Sequence, residues 1–293
     1  MFVATIVASD ALRQGDISAA RDRLAAASCE PGEVREIDPG KAADILFSAL
    51  PAEGRRVLQA MEGSIDVVVQ PLGAREKKLL VADMDSTMIT VECIDELADY
   101  AGLKAQIAEV TERAMRGELD FAEALRSRVA LLKGLEDEVI DLCRSERVQI
   151  MPGAKALVQT MAARGAKTVL VSGGFTRFAE PVGKEIGFER VVANVLDVDA
   201  ARLTGTVQLP IVDAIRKREE LEKAVETYGI ASELTMAVGD GANDILMMQA
   251  AGLGVAYHAK QKAREAADAE IVHGDLSVLL YAQGIGRGDW VQA

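Results

Sequence analysis

Four short apolar runs constrain this chain most: "KLLVAD", "AKTVLVS", "LTMAVGD" and "GLGVAY", all falling after Glu76. Each is continuously apolar, as a strand is when both faces of a parallel sheet are covered. The second follows "PGAKALVQTMAARG", a helix pattern with Pro at its start and Gly at its end. "AEIVH" extends the series. Strands alternating with helices specify a doubly wound α/β domain. Ligands of such sheets bind beyond the carboxyl ends of the strands. Here those ends carry Asp83, Ser172 and Asp240.

Upstream, residues 1–74 read as a separate small unit. "FVATIVA" is a strand, "GDISAARDRLAAA" a helix with an Asp cap, "EVREID" and "AADILFSA" two strands. "PAEGRRVLQAME" is a Pro-started helix and "SIDVVVQ" a last strand. The order β-α-β-β-α-β is the split-βαβ, ferredoxin-like plan. In element order it resembles the ACT-like regulatory domains attached to amino-acid enzymes. That resemblance implies amino-acid binding or homodimerisation for this unit. "PLGAREKK" then reads as a polar linker, and residues 75–293 as the α/β domain.

Between the first two α/β strands lies a mainly helical insertion, a cap of about residues 88–147. In "DFAEALRSRVALL", Phe121, Leu125, Arg128 and Leu132 share one helical stripe. An arginine in an apolar stripe is unusual, and snorkelling at the stripe's edge is the default account for that helix alone.

The formal net charge of −13 argues against non-specific binding to nucleic acid or to anionic membrane. A protein so acidic must gather positive charge locally if its substrate is an anion. Cys29, Cys93 and Cys143 are odd in number and lack metal-ligand spacing, which fits reduced thiols in a cytoplasmic protein. The N-terminal "MFVATIVASDALRQ" has no basic leader, and no apolar run approaches the roughly 18 residues of a membrane span.

The chemistry gathers at the strand ends. Residues two apart on an extended segment point the same way, so Asp83 and Asp85 face one cleft. "VGDGAND" ends another strand on Asp240 and opens a helix with Asn243 and Asp244. If both strands share one sheet, four carboxylates crowd together and repel unless a cation compensates. A hard divalent ion with oxygen ligands suits them, Mg²⁺ best when a phosphate completes the octahedron. In "LVSGGFTRF" two glycines turn the backbone from Ser172 into a helix N-terminus, a site for a phosphoryl group. Lys217 stands in the charged helix "IRKREELEKA", where a lone lysine is ordinarily solvated surface.

In this chain order, "DMDST", strand–Ser–Gly, Lys and "GDGAND" resemble the haloacid dehalogenase superfamily of phosphotransferases. Glu92 and Arg128 narrow the resemblance to its phosphoserine phosphatase branch, over about Lys78 to Asp275. The resemblance implies a HAD-like Rossmannoid core that hydrolyses O-phospho-L-serine with Mg²⁺. Asp83 is then the nucleophile that becomes an aspartyl-phosphate, and Asp85 the proton donor and acceptor. Mg²⁺ is expected on the Asp83 carboxylate, the Asp85 carbonyl and Asp240, with Asp244 behind a water. Ser172, the Gly173 amide and Lys217 are expected on the phosphoryl oxygens, with Asn243 beside them. Glu92 is assigned to the substrate ammonium and Arg128 to its carboxylate, which the guanidinium fork suits. Met115 and Phe121 fall at apolar lid positions. Where the family's first motif has Phe, this chain has Met84, which points away from the cleft. His258 and His273 stand in no motif. Phosphoryl transfer to an alcohol such as homoserine is the near alternative, and a non-catalytic amino-acid sensor the distant one.

Overall fold

The computed structural model describes residues 1–61, 63–115 and 118–291. The chain opens with β1 (Phe2–Ala8), α1 (Gln14–Ala26), β2 (Pro31–Asp38), β3 (Ala42–Phe47), α2 (Pro51–Gln59) and β4 (Ile65–Pro71). This is the expected β-α-β-β-α-β order. One detail differs: α1 starts before its expected cap. Asp16 is its third residue and accepts a hydrogen bond from the Arg13 N–H, 2.8 Å away. β1 pairs antiparallel with both β3 and β4, and β2 pairs antiparallel with β3.

The second part begins with β5 (Leu79–Ala82), α3 (Cys93–Tyr100), α4 (Lys104–Met115), α5 (Phe121–Leu131), α6 (Glu138–Arg147) and α7 (Ala154–Ala163). It continues through β6 (Lys167–Phe175), α8 (Thr176–Ile186), β7 (Arg190–Asn194), β8 (Leu196–Asp199), β9 (Arg202–Val207) and α9 (Ala214–Tyr228). It closes with β10 (Thr235–Gly239), α10 (Ile245–Ala250), β11 (Leu253–Tyr257), α11 (Gln261–Ala266), β12 (Ala269–Ile271) and α12 (Val278–Ala282). β12, β11, β10, β5, β6 and β7 form a parallel array in that order. In β5, β6, β10 and β11 the aliphatic residues are buried on both faces of the sheet, which is why these strands read as unbroken apolar runs.

The two parts share a single ten-stranded sheet, because β4 pairs antiparallel with β12 through Val67 and Glu270. The inner face of the N-terminal strands packs on α12, with Val7 and Val68 in the same core as Tyr281. The linker is correspondingly not a solvated tether. Arg75 donates to Asp44, to Thr5 and to the carbonyls of Tyr281 and Ala282. Lys77 is buried, donating from its backbone to Gln283 and from Nζ to the Glu233 carbonyl.

A hairpin that the sequence pattern did not reveal, β8–β9, buttresses the helical insertion. Gly134 donates to the Leu203 carbonyl and Leu203 to that of Leu135, fixing the turn after α5. α4 and α5 thereby face the carboxyl ends of β5, β6 and β10 across a cavity of about 390 Å³.

Candidate active site

Asp83 directly follows β5 and continues its ladder, donating to the Val238 carbonyl of β10. The sheet thus delivers this carboxylate beside Asp240, which follows β10. Lys217, on the fourth residue of α9, reaches in from behind and is fully buried. Its Nζ lies 2.6 Å from Asp83 Oδ1 and 2.7 Å from Asp244 Oδ1. The other oxygen of Asp244 accepts the backbone N–H groups of Asp240 and Gly241 at 3.2 and 3.0 Å. That single carboxylate therefore orders both the lysine and the "GDG" turn. The turn needs its glycines: a Cβ on Gly239 would collide with the Asp244 side chain, and one on Gly241 with Asn243.

Asp83, Asp240 and Asp244 each place a carboxylate oxygen within 4.8 Å of the others. One ammonium does not balance three carboxylates. Burial and Asp244 push the Asp83 carboxyl well above the usual range, against the pull of Lys217. Burial, Asp244 and Glu92 raise Asp240 to about 6. Burial pulls the Lys217 pKa down, but Asp244 and Asp83 outweigh it and raise it above the usual lysine range. Hard oxygen donors, closely spaced and short of positive charge, suit a divalent cation. Asp244, expected behind a water, brings its own carboxylate into this group.

Asp85 has a different environment. Its Oδ1 is buried and has no hydrogen-bond partner among the described residues. Burial, and next Glu92, raise its pKa to about 7. Glu92 stands at the N-cap position of α3 and its side chain accepts from the Ser86 hydroxyl at 2.9 Å. Arg128 lines the same cavity from α5. Burial lowers its pKa, partly offset by Asp95, Glu92 and Asp85. Its one hydrogen bond among the described residues runs from Nε to the Ala124 carbonyl of its own helix, at 3.3 Å.

Ser172 is buried beneath the cavity wall, and its Oγ accepts from the Gly174 N–H at 2.8 Å. The hydroxyl proton is left to donate elsewhere. Gly173 lines the cavity, and Phe121 lies over it so closely that a Cβ there would stand 3.1 Å from the ring. Asn243 lines the cavity at the "GDG" end. Met84 is buried in the core, outside the lining. The side chain of Met115 lies outside the described residues.

The structure adds residues that the sequence did not single out. Lys260 lines the cavity mouth, largely exposed, with Nζ 4.0 Å from Asp240 Oδ2. Ile94, Thr111 and Ala114 complete the helical wall. No motif marks them, because each comes from an element whose sequence pattern states only that it is helical or a turn.

Residues 77–252 match the family model for haloacid dehalogenase-like hydrolases. This chain belongs to the haloacid dehalogenase-like hydrolase family. As a haloacid dehalogenase-like protein it carries that family's α/β fold on a mostly parallel sheet; phosphatases of this family generally use Mg²⁺, and the chain holds an acidic cluster. The chain is 46% identical over 232 residues to "Phosphoserine phosphatase SerB2" of Mycobacterium tuberculosis, a match spanning 78% of this chain and 56% of that protein. Among solved structures, a haloacid dehalogenase family hydrolase of Salmonella enterica superposes with a TM-score of 0.85 at 27% identity, over 96% of this chain and 98% of that one. A probable phosphoserine phosphatase of Vibrio cholerae, in unliganded form, superposes with a TM-score of 0.76 at 33% identity, over 96% and 88%. No helix of the described residues is long and apolar enough to cross a membrane.

Proposed function

We propose that the chain hydrolyses O-phospho-L-serine to L-serine and inorganic phosphate. One observation carries the reading: a single cavity holds Asp83, Asp85 and Gly173 at the strand ends and Glu92 with Arg128 at its helical side. Phosphoserine is a phosphate, an ammonium and a carboxylate on a three-carbon frame. Each of those charges meets a group of complementary character. The similarity to proteins named phosphoserine phosphatase supports the same substrate.

In this reading Asp83 attacks phosphorus, and the bond from phosphorus to the serine oxygen breaks. Asp85 gives its proton to that leaving oxygen. A pKa of about 7 leaves it partly protonated at neutral pH, as a general acid requires. Asp85 then takes a proton from the water that attacks the aspartyl-phosphate, releasing phosphate and restoring Asp83. Lys217, Ser172 and the Gly173 amide neutralise and orient the phosphoryl oxygens, the larger part of phosphoryl-transfer catalysis. Asp83, Asp240 and the Asp85 carbonyl would hold Mg²⁺, with Asp244 alongside; when bound, it supplies charge neutralisation at the transferring group. α3–α6 act as the cap that closes on the amino acid. Residues 1–74, by strand order and pairing, support the reading of an ACT-like unit.

The test is phosphate release from O-phospho-L-serine with Mg²⁺ and with a chelator, beside p-nitrophenyl phosphate. Metal-dependent release from phosphoserine is expected. Turnover of the aryl ester without turnover of phosphoserine overturns the substrate. Formation of a phosphorylated alcohol on adding homoserine, at the expense of free phosphate, would make the protein a transferase.

A further inference from the structure

β6 and β7 run in register through Val169–Arg190, Leu170–Val191 and Val171–Val192, and their next pairing is Phe175–Asn194. Over that step β6 advances four residues while β7 advances two. Ser172, Gly173 and Gly174 thus stand against Ala193 alone, and their loop bulges towards the cavity. A bulge leaves backbone groups without ladder partners. Here one partner comes from a side chain: Asn194 Nδ2 donates to the Gly173 carbonyl at 2.8 Å. On the other face of the same peptide unit, the Gly174 N–H donates to Ser172 Oγ at 2.8 Å. The plane is clamped from both sides.

The second arm of Asn194 points elsewhere. Its Oδ1 accepts the Val212 N–H at 2.8 Å. Val212 precedes Asp213, whose side chain N-caps α9 by accepting from the Arg216 N–H. The first turn of that helix ends on Lys217. Asn194 is 1% exposed, so neither bond competes with water.

Resting on the function proposed above, we infer that Asn194 is a positioning residue for the phosphoryl group: it ties the Ser172–Gly173 bulge to the start of α9 and so sets where Ser172, the Gly173 amide and Lys217 converge. The residue type follows from the geometry. The carboxamide must donate at one end and accept at the other, and it must be neutral beside an anion. Aspartate has the same shape but no donor, and would set a carboxylate oxygen against the Gly173 carbonyl. Leucine has the volume and neither bond. Misplacing reacting groups by about 1 Å costs up to roughly 100-fold, so the loss of either arm is felt at the phosphoryl group.

The test compares Asn194→Asp and Asn194→Leu with the unaltered protein for competitive inhibition by inorganic phosphate, for kcat and KM on p-nitrophenyl phosphate, and for thermal midpoint. Both variants should weaken phosphate inhibition by about tenfold or more and lower kcat on the aryl ester. Variants that melt earlier yet are inhibited by phosphate as before overturn the role and leave a merely structural side chain. Should neither variant fold, ¹⁵N spectra of the unaltered protein decide. The Asn194 side-chain amide signals should shift with added phosphate in step with the Gly173 amide, and an unmoved Asn194 overturns the inference. Failure of phosphoserine turnover alone touches only the substrate, because the phosphate and aryl ester measurements do not depend on it.

Discussion

Asp83 and Asp85 are two positions apart, and their surroundings set them different tasks. Asp83 shares Lys217 with Asp244, and the ammonium would favour the anionic form that the proposed nucleophile requires once the excess negative charge is offset. Asp85 has no cationic partner within hydrogen-bonding reach among the described residues, and is partly protonated near neutrality. Asp83→Asn should therefore lower phosphate release by roughly 10⁴-fold or more; near-normal release from that variant removes the nucleophile. Arg128→Ala should raise KM for phosphoserine about 10- to 100-fold, the worth of a charged hydrogen bond, while kcat/KM for p-nitrophenyl phosphate changes by less than about threefold. Equal losses on both substrates would dissociate Arg128 from the substrate carboxylate. Most of these residues were legible in the sequence because their motifs combine a strand end with a turn. Lys217 was legible only through the family pattern. By itself it sits among charged neighbours on α9, and only packing reveals that this one lysine is the buried one.

At the scale of elements, the site is built from turns in which glycine is a steric requirement. A Cβ on Gly239 would displace the Asp244 carboxylate that orders Lys217 and the Asp240 turn. Gly239→Ala should thus cost about 10²- to 10³-fold in kcat, as losing a pre-organised charge does, with the far-UV spectrum unchanged; wild-type kcat would show that Asp244 can relocate freely. The order of strands and helices followed from hydrophobic pattern with few misses. The β8–β9 hairpin and β7 escaped because "RVVANVLDVDAARLTGTV" mixes apolar and polar residues without a clean period. Asn194 escaped with them. Nothing in an isolated asparagine distinguishes a buried clamp from a turn residue; only the register break opposite it does.

At the scale of the molecule, the two units read from the sequence are joined by more than a linker: one sheet runs through both. Arg75 is the fastener: its side chain is 16% exposed and its partner Asp44 4% exposed. Removing one member of such a pair strands a buried charge, so Arg75→Ala should destabilise the protein by about 3 kcal/mol in denaturant unfolding. A change below about 0.5 kcal/mol would place the pair among ordinary surface contacts. Deleting residues 1–74 uncovers the β12 edge, and the remainder should associate or lose stability. A truncated protein as stable and monodisperse as the whole would show the junction to be dispensable. The acidic cluster adds a pH dependence. Asp85 and Asp240 have pKa values of about 7 and about 6, well above unfolded aspartate. The metal-free folded state thus binds more protons than the unfolded state between about pH 4 and 7, and stability falls as pH rises across that window. Mg²⁺ held by these carboxylates would compete with those protons, so it should raise the thermal midpoint more at pH 7.5 than at pH 5. An equal shift at both pH values would detach the metal from these carboxylates.

The sequence alone determined which strands end on carboxylates, which turns approach a phosphoryl group and which family these motifs resemble, because those properties are written in neighbouring residues. Tertiary structure decided which lysine is buried, that Asn194 spans two loops, that Asp244 serves a lysine as well as an acidic cluster, and that both parts of the chain share one sheet. Each of those rests on contacts between residues distant in the chain, and a local pattern holds no record of the register that brings them together.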